Sequence, residues 1–283
     1  MNDLSVLESP LANAKCWRIA YHTKATEESP PVAILQEPCN RYVIADEVDV
    51  SDALADSAPE DDAENDESLL LIWLPRAASS PPGIANRVET WVQDGAKSEQ
   101  PLVRASIRTV LVLWTERRAV IYSTQDELDA AINSVVRFTV AARRIESLER
   151  QLATAWTDVE NHVALTHASS SRGLRMQSEV NDMTERTTRM KVVYLRLENA
   201  LQQSDAALRM PAKLLFSELA LQARLPERLD LLDEPIQFLL DHYELSNTRL
   251  IEGRFNRSIF WLEVGIVVII AADLVALIFE LIK

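Results

Sequence analysis

The hydrophobic positions of this chain change their period near residue 124. Before it they come in short runs of strand length: Cys16–His22 (CWRIAYH), Val32–Gln36, Tyr42–Ala45 and Leu69–Leu74 (LLLIWL). A Pro-Pro-Gly turn follows, and then Ile84–Gln93 has the spacing of a short amphipathic helix. Ile107–Trp114 and Ala119–Tyr122 flank Thr-Glu-Arg-Arg, which predicts a hairpin. The first 123 residues are therefore expected to hold a small strand-rich α+β domain over about 14–123.

After residue 124 the period becomes helical. Thr124-Gln-Asp-Glu127 is a capping box, in which Thr and Glu satisfy free backbone N–H groups reciprocally. Apolar residues follow at Leu128, Ile132, Val135, Phe138, Ala142, Ile145, Leu148, Leu152, Ala155 and Val159, every step three or four. Ala168-Ser-Ser-Ser-Arg-Gly173 breaks the row. A second row, Met176, Val180, Met183, Thr187, Met190, Tyr194, Leu197 and Leu201, alternates four and three without a slip, with only Thr187 polar. The range 124–203 thus predicts a coiled-coil helical hairpin.

Ser204 is placed to cap the next segment, and Pro211 suits a helix start. Leu214, Leu215, Leu219 and Ala223 predict a short helix ended by Leu225-Pro226. Leu229, Leu232, Ile236, Leu239, Tyr243 and Leu250 then lead toward the C-terminus, with Pro235 and Gly253 as expected kinks or joints. The range 204–257 reads as a helical stalk. If it is continuous, it carries motion into the segment that follows.

That segment, Ile259–Ile282 (IFWLEVGIVVIIAADLVALIFELI), has 24 residues of which only Glu263, Asp273 and Glu280 are charged. About 20 residues cross a bilayer core, so 258–283 is expected to be a single transmembrane helix. Phe260 and Trp261 suit one interface. Arg249, Arg254 and Arg257 precede the segment and only Lys283 follows it. The positive-inside rule then puts 1–257 in the cytoplasm, with the chain tail-anchored in an inner (plasma) membrane. Met1-Asn-Asp-Leu-Ser-Val-Leu-Glu has no basic region or apolar core of a secretory signal.

Composition changes this picture in two places. The net charge is −14, but residues 46–67 hold eleven acids and no base, and without them it is −3. Such a run is expected to be a disordered, solvated insert. The overall sign argues against broad phosphate-backbone binding. The chain has only 5 Gly, which disfavours nucleotide-cradling loops, and its two cysteines, Cys16 and Cys39, cannot form a disulfide framework, which suggests a reducing compartment.

No catalytic signature emerges. His162 and His167 are five apart, on different helix faces, unlike the i, i+4 pair of a zinc helix; His22 and His242 stand alone. G-x-G-x-x-G, P-loop and G-x-S-x-G patterns are absent. Asp61–Asp62 and Asp233–Glu234 read as solvated charges, and the cysteines as buried small hydrophobes. No catalytic, metal or cofactor role is assigned, and an enzyme is not expected.

Two charge patterns remain. From Arg137 to Arg196 there are ten Lys/Arg against seven acids. Arg137 and Arg144 share one helix face, as do Arg186 and Arg189. Together they would offer a groove for an anionic ligand, a nucleotide or an oligonucleotide. The alternative is helix-surface ion pairing, for example Glu185 with Arg189. The second pattern lies in the apolar segment. On a 3.5-residue period Glu263, Ile270 and Leu277 occupy one seam position, and Ile266, Asp273 and Glu280 the other. Charges at membrane depth usually face protein or water. In a parallel homo-oligomer these six residues would line a pore with stacked carboxylate rings. Asp273 pairing with a partner helix, and Glu263 and Glu280 resting at the headgroups, are the competing readings.

Leu229–Leu277 (LDLLDEPIQFLLDHYELSNTRLIEGRFNRSIFWLEVGIVVIIAADLVAL) resembles the C-terminal end of the "required for meiotic nuclear division" membrane family. That family's anchor opens with an R-L-E-W-like motif, for which Phe260-Trp-Leu-Glu263 stands here with the order altered. The family's Ser- and Ala-rich central motif is missing from 125–200. The resemblance implies an oligomeric, non-enzymatic, membrane-tethered protein, as in mitochondrial translation support. The layout is also similar to transmembrane effectors of bacterial anti-phage systems. Two functions therefore stand side by side: an effector whose cytoplasmic part senses a ligand or regulatory protein and gates a cation-permeable pore, and a non-catalytic coiled-coil scaffold tethered to membrane lipid.

Overall fold

A computed structural model describes residues 14–22, 33–35, 41–55, 68–76, 82–96, 101–162, 177–202 and 208–282. The chain divides into two compact units, Met1–Glu149 with Val193–Leu231, and Arg150–Val192 with Leu232–Lys283.

The first unit is built on a seven-stranded sheet. Its strands are β1 (Lys15–His22), β2 (Ala33–Leu35), β3 (Arg41–Val48), β4 (Leu69–Pro75), β5 (Val103–Ile107), β6 (Val110–Trp114) and β7 (Arg118–Ser123), in the order β2-β3-β1-β4-β7-β6-β5. β4 and β7 pair in parallel, with Ile72 opposite Val120, and the other pairs are antiparallel. β4 sits in the middle because its LLLIWL run does not alternate, so it must be covered on both faces. On one face Cys16, Ile72, Leu74, Leu113 and Val120 pack with Ala53 of α1 (Val50–Ala55) and with Val88, Trp91 and Val92 of α2 (Pro82–Asp94). On the other lies the first part of α3 (Gln125–His162). There Trp114 donates its indole N–H to the Thr139 hydroxyl (2.9 Å) and meets Phe138 edge-on. Arg143 reaches the carbonyl oxygens of Ser68 and Glu116 at 2.9 and 2.7 Å.

The α+β reading holds, with local corrections. The acidic stretch 46–67 is not a disordered insert throughout. Asp46–Val48 end β3, paired to β1, and Val50–Ala55 form a helix. Asp49 caps that helix by accepting the Ser51 N–H at 2.8 Å, and Trp91 donates to the Ala53 carbonyl at 3.2 Å. A cap and one buried alanine thus outweigh the local charge. Residues 56–67 lie outside the described residues. Ile107–Trp114 is not one strand either: Arg108, at φ 52, turns the chain between β5 and β6, so two hairpins follow one another. Neither Gly nor Asn marks that turn, so the hydrophobic pattern runs straight through it.

The Glu127 half of the capping box is seen: its carboxylate accepts from the Thr124 backbone N–H, and the Thr124 hydroxyl also donates to it at 3.0 Å, whereas the Glu127 N–H goes to the Thr124 backbone carbonyl at 3.3 Å. The Thr109 hydroxyl, first, and then Thr124 hold the Glu127 carboxyl below the usual carboxylate range. A lowered carboxyl stabilises the fold fully above its ordinary value, about 4.3 for Glu, and that stabilisation is lost as pH falls through the lower folded value. Thr109→Val is therefore expected to flatten the acid limb of a melting-temperature-against-pH profile. An unchanged limb would show that this bond is not used.

α5 (Met210–Gln222) starts with Pro211 in its first turn as expected, and packs against β5; the Ser134 hydroxyl of α3 donates to its Ala212 carbonyl at 2.8 Å. Ser204 lies outside the described residues. Leu225-Pro226 does not simply end a helix: it opens α6 (Leu225–Ile282), one unbroken helix of 58 residues that continues through Pro235 and Gly253. The reversal between α5 and α6 is made by Arg224 at φ 54, a conformation glycine adopts freely. The Arg224 ion pair with Glu227 is exposed on both sides. Arg224→Gly should raise stability by about 0.5–1 kcal/mol, and Arg224→Val lower it, in urea titrations of the full chain.

In the second unit three helices share a core: the end of α3, the first part of α4 (Gln177–Gln202) and α6 from Leu232. Leu152, Ala155 and Val159, then Val180, Met183, Thr187 and Met190, then Leu232, Ile236, Leu239 and Tyr243 are buried. Arg186 pairs with Asp158 at 3.5 Å and Lys191 with Asp233 at 2.6 Å, which ties α4 to both other helices. The expected two-helix hairpin is thus a three-helix layer, because the α6 stripe also needs cover. For the same reason the expected boundaries at 123, 203 and 257 do not mark the compact units: α3, α4 and α6 each serve two cores in turn. The buried Thr187 hydroxyl is satisfied within its helix, by the Met183 carbonyl at 2.9 Å.

Candidate functional site

The candidate site is the C-terminal part of α6. Phe255–Ala272 is an 18-residue window of mean hydropathy 1.7, none of it buried within the chain, and it is long and apolar enough to cross a membrane. Phe260 and Trp261 meet edge-on near its start, centroids 6.0 Å apart. A Cβ added at Gly265 would meet nothing within 4 Å. Glu263, Ile266 and Ile270 are exposed on this helix. The backbone stays helical through Ile282, so the 3-4 spacing keeps Glu263, Ile266, Ile270, Asp273, Leu277 and Glu280 along one stripe. The side chains of Asp273, Leu277 and Glu280 lie outside the described residues.

The four arginines of the expected anionic groove divide between the two compact units, two in each. Arg186 is paired with Asp158, and Arg189 with Glu185 one turn before it. Arg137 and Arg144 are half-buried on α3 and belong to the other compact unit. Ion pairing, the alternative reading, is what the two α4 arginines show. Asp233, half exposed, is likewise paired, with Lys191.

Cys16 is the buried small hydrophobe that the sequence predicts. Cys16 is fully buried, and burial pushes its thiol up to about 12, so it stays protonated at neutral pH. Cys39 and His167, and the side chain of His162, lie outside the described residues. Among the described residues no group of three or more His, Cys, Asp or Glu is placed to hold a metal ion. In the second unit burial, together with the nearby Asp158 charge, raises the Tyr243 hydroxyl to about 12, which keeps it neutral in its core.

One group escapes the sequence pattern. Trp156 stacks on Phe238 (5.3 Å, 16°) and Phe238 on His242 (6.1 Å, 22°), and Phe238 and Leu245 remain about half exposed. The buried series on α6 draws attention away from them, although their seven-residue spacing is plain in the sequence.

No family model matches the chain, and no curated protein matches it. A solved structure described as "structure of the full-length CmaX protein" is similar over 88% of this chain and 80% of that chain, at 11% identity and a TM-score of 0.35.

Proposed function

We propose that the chain is an oligomeric membrane-anchored effector in which α6 couples a sensing part to a cation-permeable pore. The observation that carries this reading is the single helix Leu225–Ile282. Within the second unit it joins residues fixed in a packed core, Leu232 to Tyr243, to an apolar stretch with no cover of its own. An apolar helix without partners inside the chain is stable in lipid or against copies of itself. A carboxylate such as Glu263 or Asp273 on it is tolerated where it faces water or protein. Coiled-coil packing of the helices, cytoplasmic placement of the bulk of the chain, an anionic ligand or regulatory protein as trigger, and a setting in anti-phage defence complete the reading.

Ion flux into liposomes tests it. The wild type should conduct cations in some activated state, Asp273→Asn should conduct with weaker cation selectivity, and Asp273→Leu should seal the path by making the constriction apolar. Absence of flux from the wild type, or a monomeric mass in detergent, overturns the pore and leaves a membrane-tethered scaffold.

A further inference from the structure

The exposed stripe of α6 outside the apolar window has a register. Phe238 and Leu245 are seven residues apart, 49% and 48% exposed, with His242 between them. Continuing by sevens gives Glu252, Ile259 and Ile266, and then Asp273 of the candidate seam. His242, at the companion position, continues through Arg249, Asn256, Glu263 and Ile270. The row that would face the axis inside the membrane therefore continues outside it through Phe238 and Leu245, which are half exposed although Trp156 stacks on Phe238. The core-facing residues Ile236, Leu239, Tyr243 and Ser246 lie on another side of the same helix.

A strict seven-residue row drifts around a lone straight helix by ~20° per heptad, and stays on one line only when helices supercoil around each other. That requirement names the occupant. Lipid does not suit: Leu245 precedes Phe255 by ten residues, roughly 15 Å of helix, Asp241 and Glu244 flank the stripe, and Glu252 lies in it. An unrelated partner gives no reason for the phase to agree with the apolar segment. The two charged layers of the row, Arg249 and Glu252, are opposite in sign and one turn apart, so the row does not stack like charges layer upon layer. We propose that Phe238, His242 and Leu245 form the extramembrane part of a parallel interface between copies of this chain. This rests on the oligomeric reading above and extends it out of the bilayer.

Cysteine cross-linking of the full chain in detergent tests the proposal, with the unaltered protein, which keeps Cys16 and Cys39, as the background. At a parallel seam a residue meets its own copy. Leu245→Cys should therefore give a disulfide-linked dimer under mild oxidation, while Glu244→Cys, exposed on another side of the helix, should not. No cross-link at 245, or equal cross-linking at 244, overturns the proposal. Leu245→Glu should weaken association about tenfold or more without lowering the melting temperature, since that side chain is half exposed. An unchanged mass would also overturn it. The failures separate: flux without a 245 cross-link removes this interface and keeps the pore, and a 245 cross-link without flux does the reverse.

Discussion

Met190→Asp should cost about 4 kcal/mol or more and unfold the helical core near room temperature. Met190 is 1% exposed on the α4 stripe that also buries Val180, Met183 and Thr187. The substitution removes a buried side chain that contributes about 1.5–3 kcal/mol, and adds a carboxylate to an apolar face. Lys191, the next residue, is already engaged with Asp233. Domains of this size are stable by only about 5–15 kcal/mol, so a loss of this order is decisive. Met190→Leu, close in volume, should cost under about 1.5 kcal/mol. Urea titrations of the full chain in detergent read both. An unchanged midpoint for the aspartate would mean that the row is no seam.

The α4 row is legible in the sequence because burial there follows one period: Val180, Met183, Thr187, Met190, Tyr194 and Leu197 are all buried, as the 4-3 spacing requires. β4 is legible from LLLIWL, and α3 from its capping box. Which stripe meets which is not. Periodicity gives each helix a face and says nothing about its partner, so the pattern shows the α6 stripe from Leu229 to Tyr243 but not that it joins the second core. Turns made without glycine, at Arg108 and Arg224, leave no mark either. In the described part of the acidic stretch, 46–55, one N-cap, Asp49, and one buried contact, Ala53, decide the outcome against the local acids. The candidate site is legible as a helix and a stripe, since charge in an apolar run is rare. Its extension to Phe238 and Leu245 needs exposure, which only the folded chain supplies.

Gly95→Ala should destabilise the first unit by about 2–4 kcal/mol, and by almost nothing where Arg118 is already gone. Gly95 follows α2, and a Cβ there would stand 2.6 Å from both Cγ and Cδ of Arg118 and 3.0 Å from its Cβ. Those atoms are the root of the side chain rather than its flexible tip. Arg118 is only 5% exposed. It cannot swing into solvent without leaving two interactions: its guanidinium donates to the Trp91 carbonyl at 2.9 Å and lies 4.9 Å from the Trp91 ring centroid. A hydrogen bond from a charged donor contributes about 1.5–3 kcal/mol and a partly desolvated cation–π contact about 0.5–2, so displacing both accounts for the expected loss. The same arginine opens β7, whose Ala119–Val120 backbone pairs with β4 and β6 at the sheet centre, so the disturbance falls where the unit is most tightly bound. If the clash is the cause, the two substitutions are strongly non-additive. Arg118→Ala makes the space that the added methyl group needs, and Gly95→Ala in that background should shift the urea midpoint only slightly. Equal costs in both backgrounds would assign the effect to the Gly95 backbone instead of to Arg118.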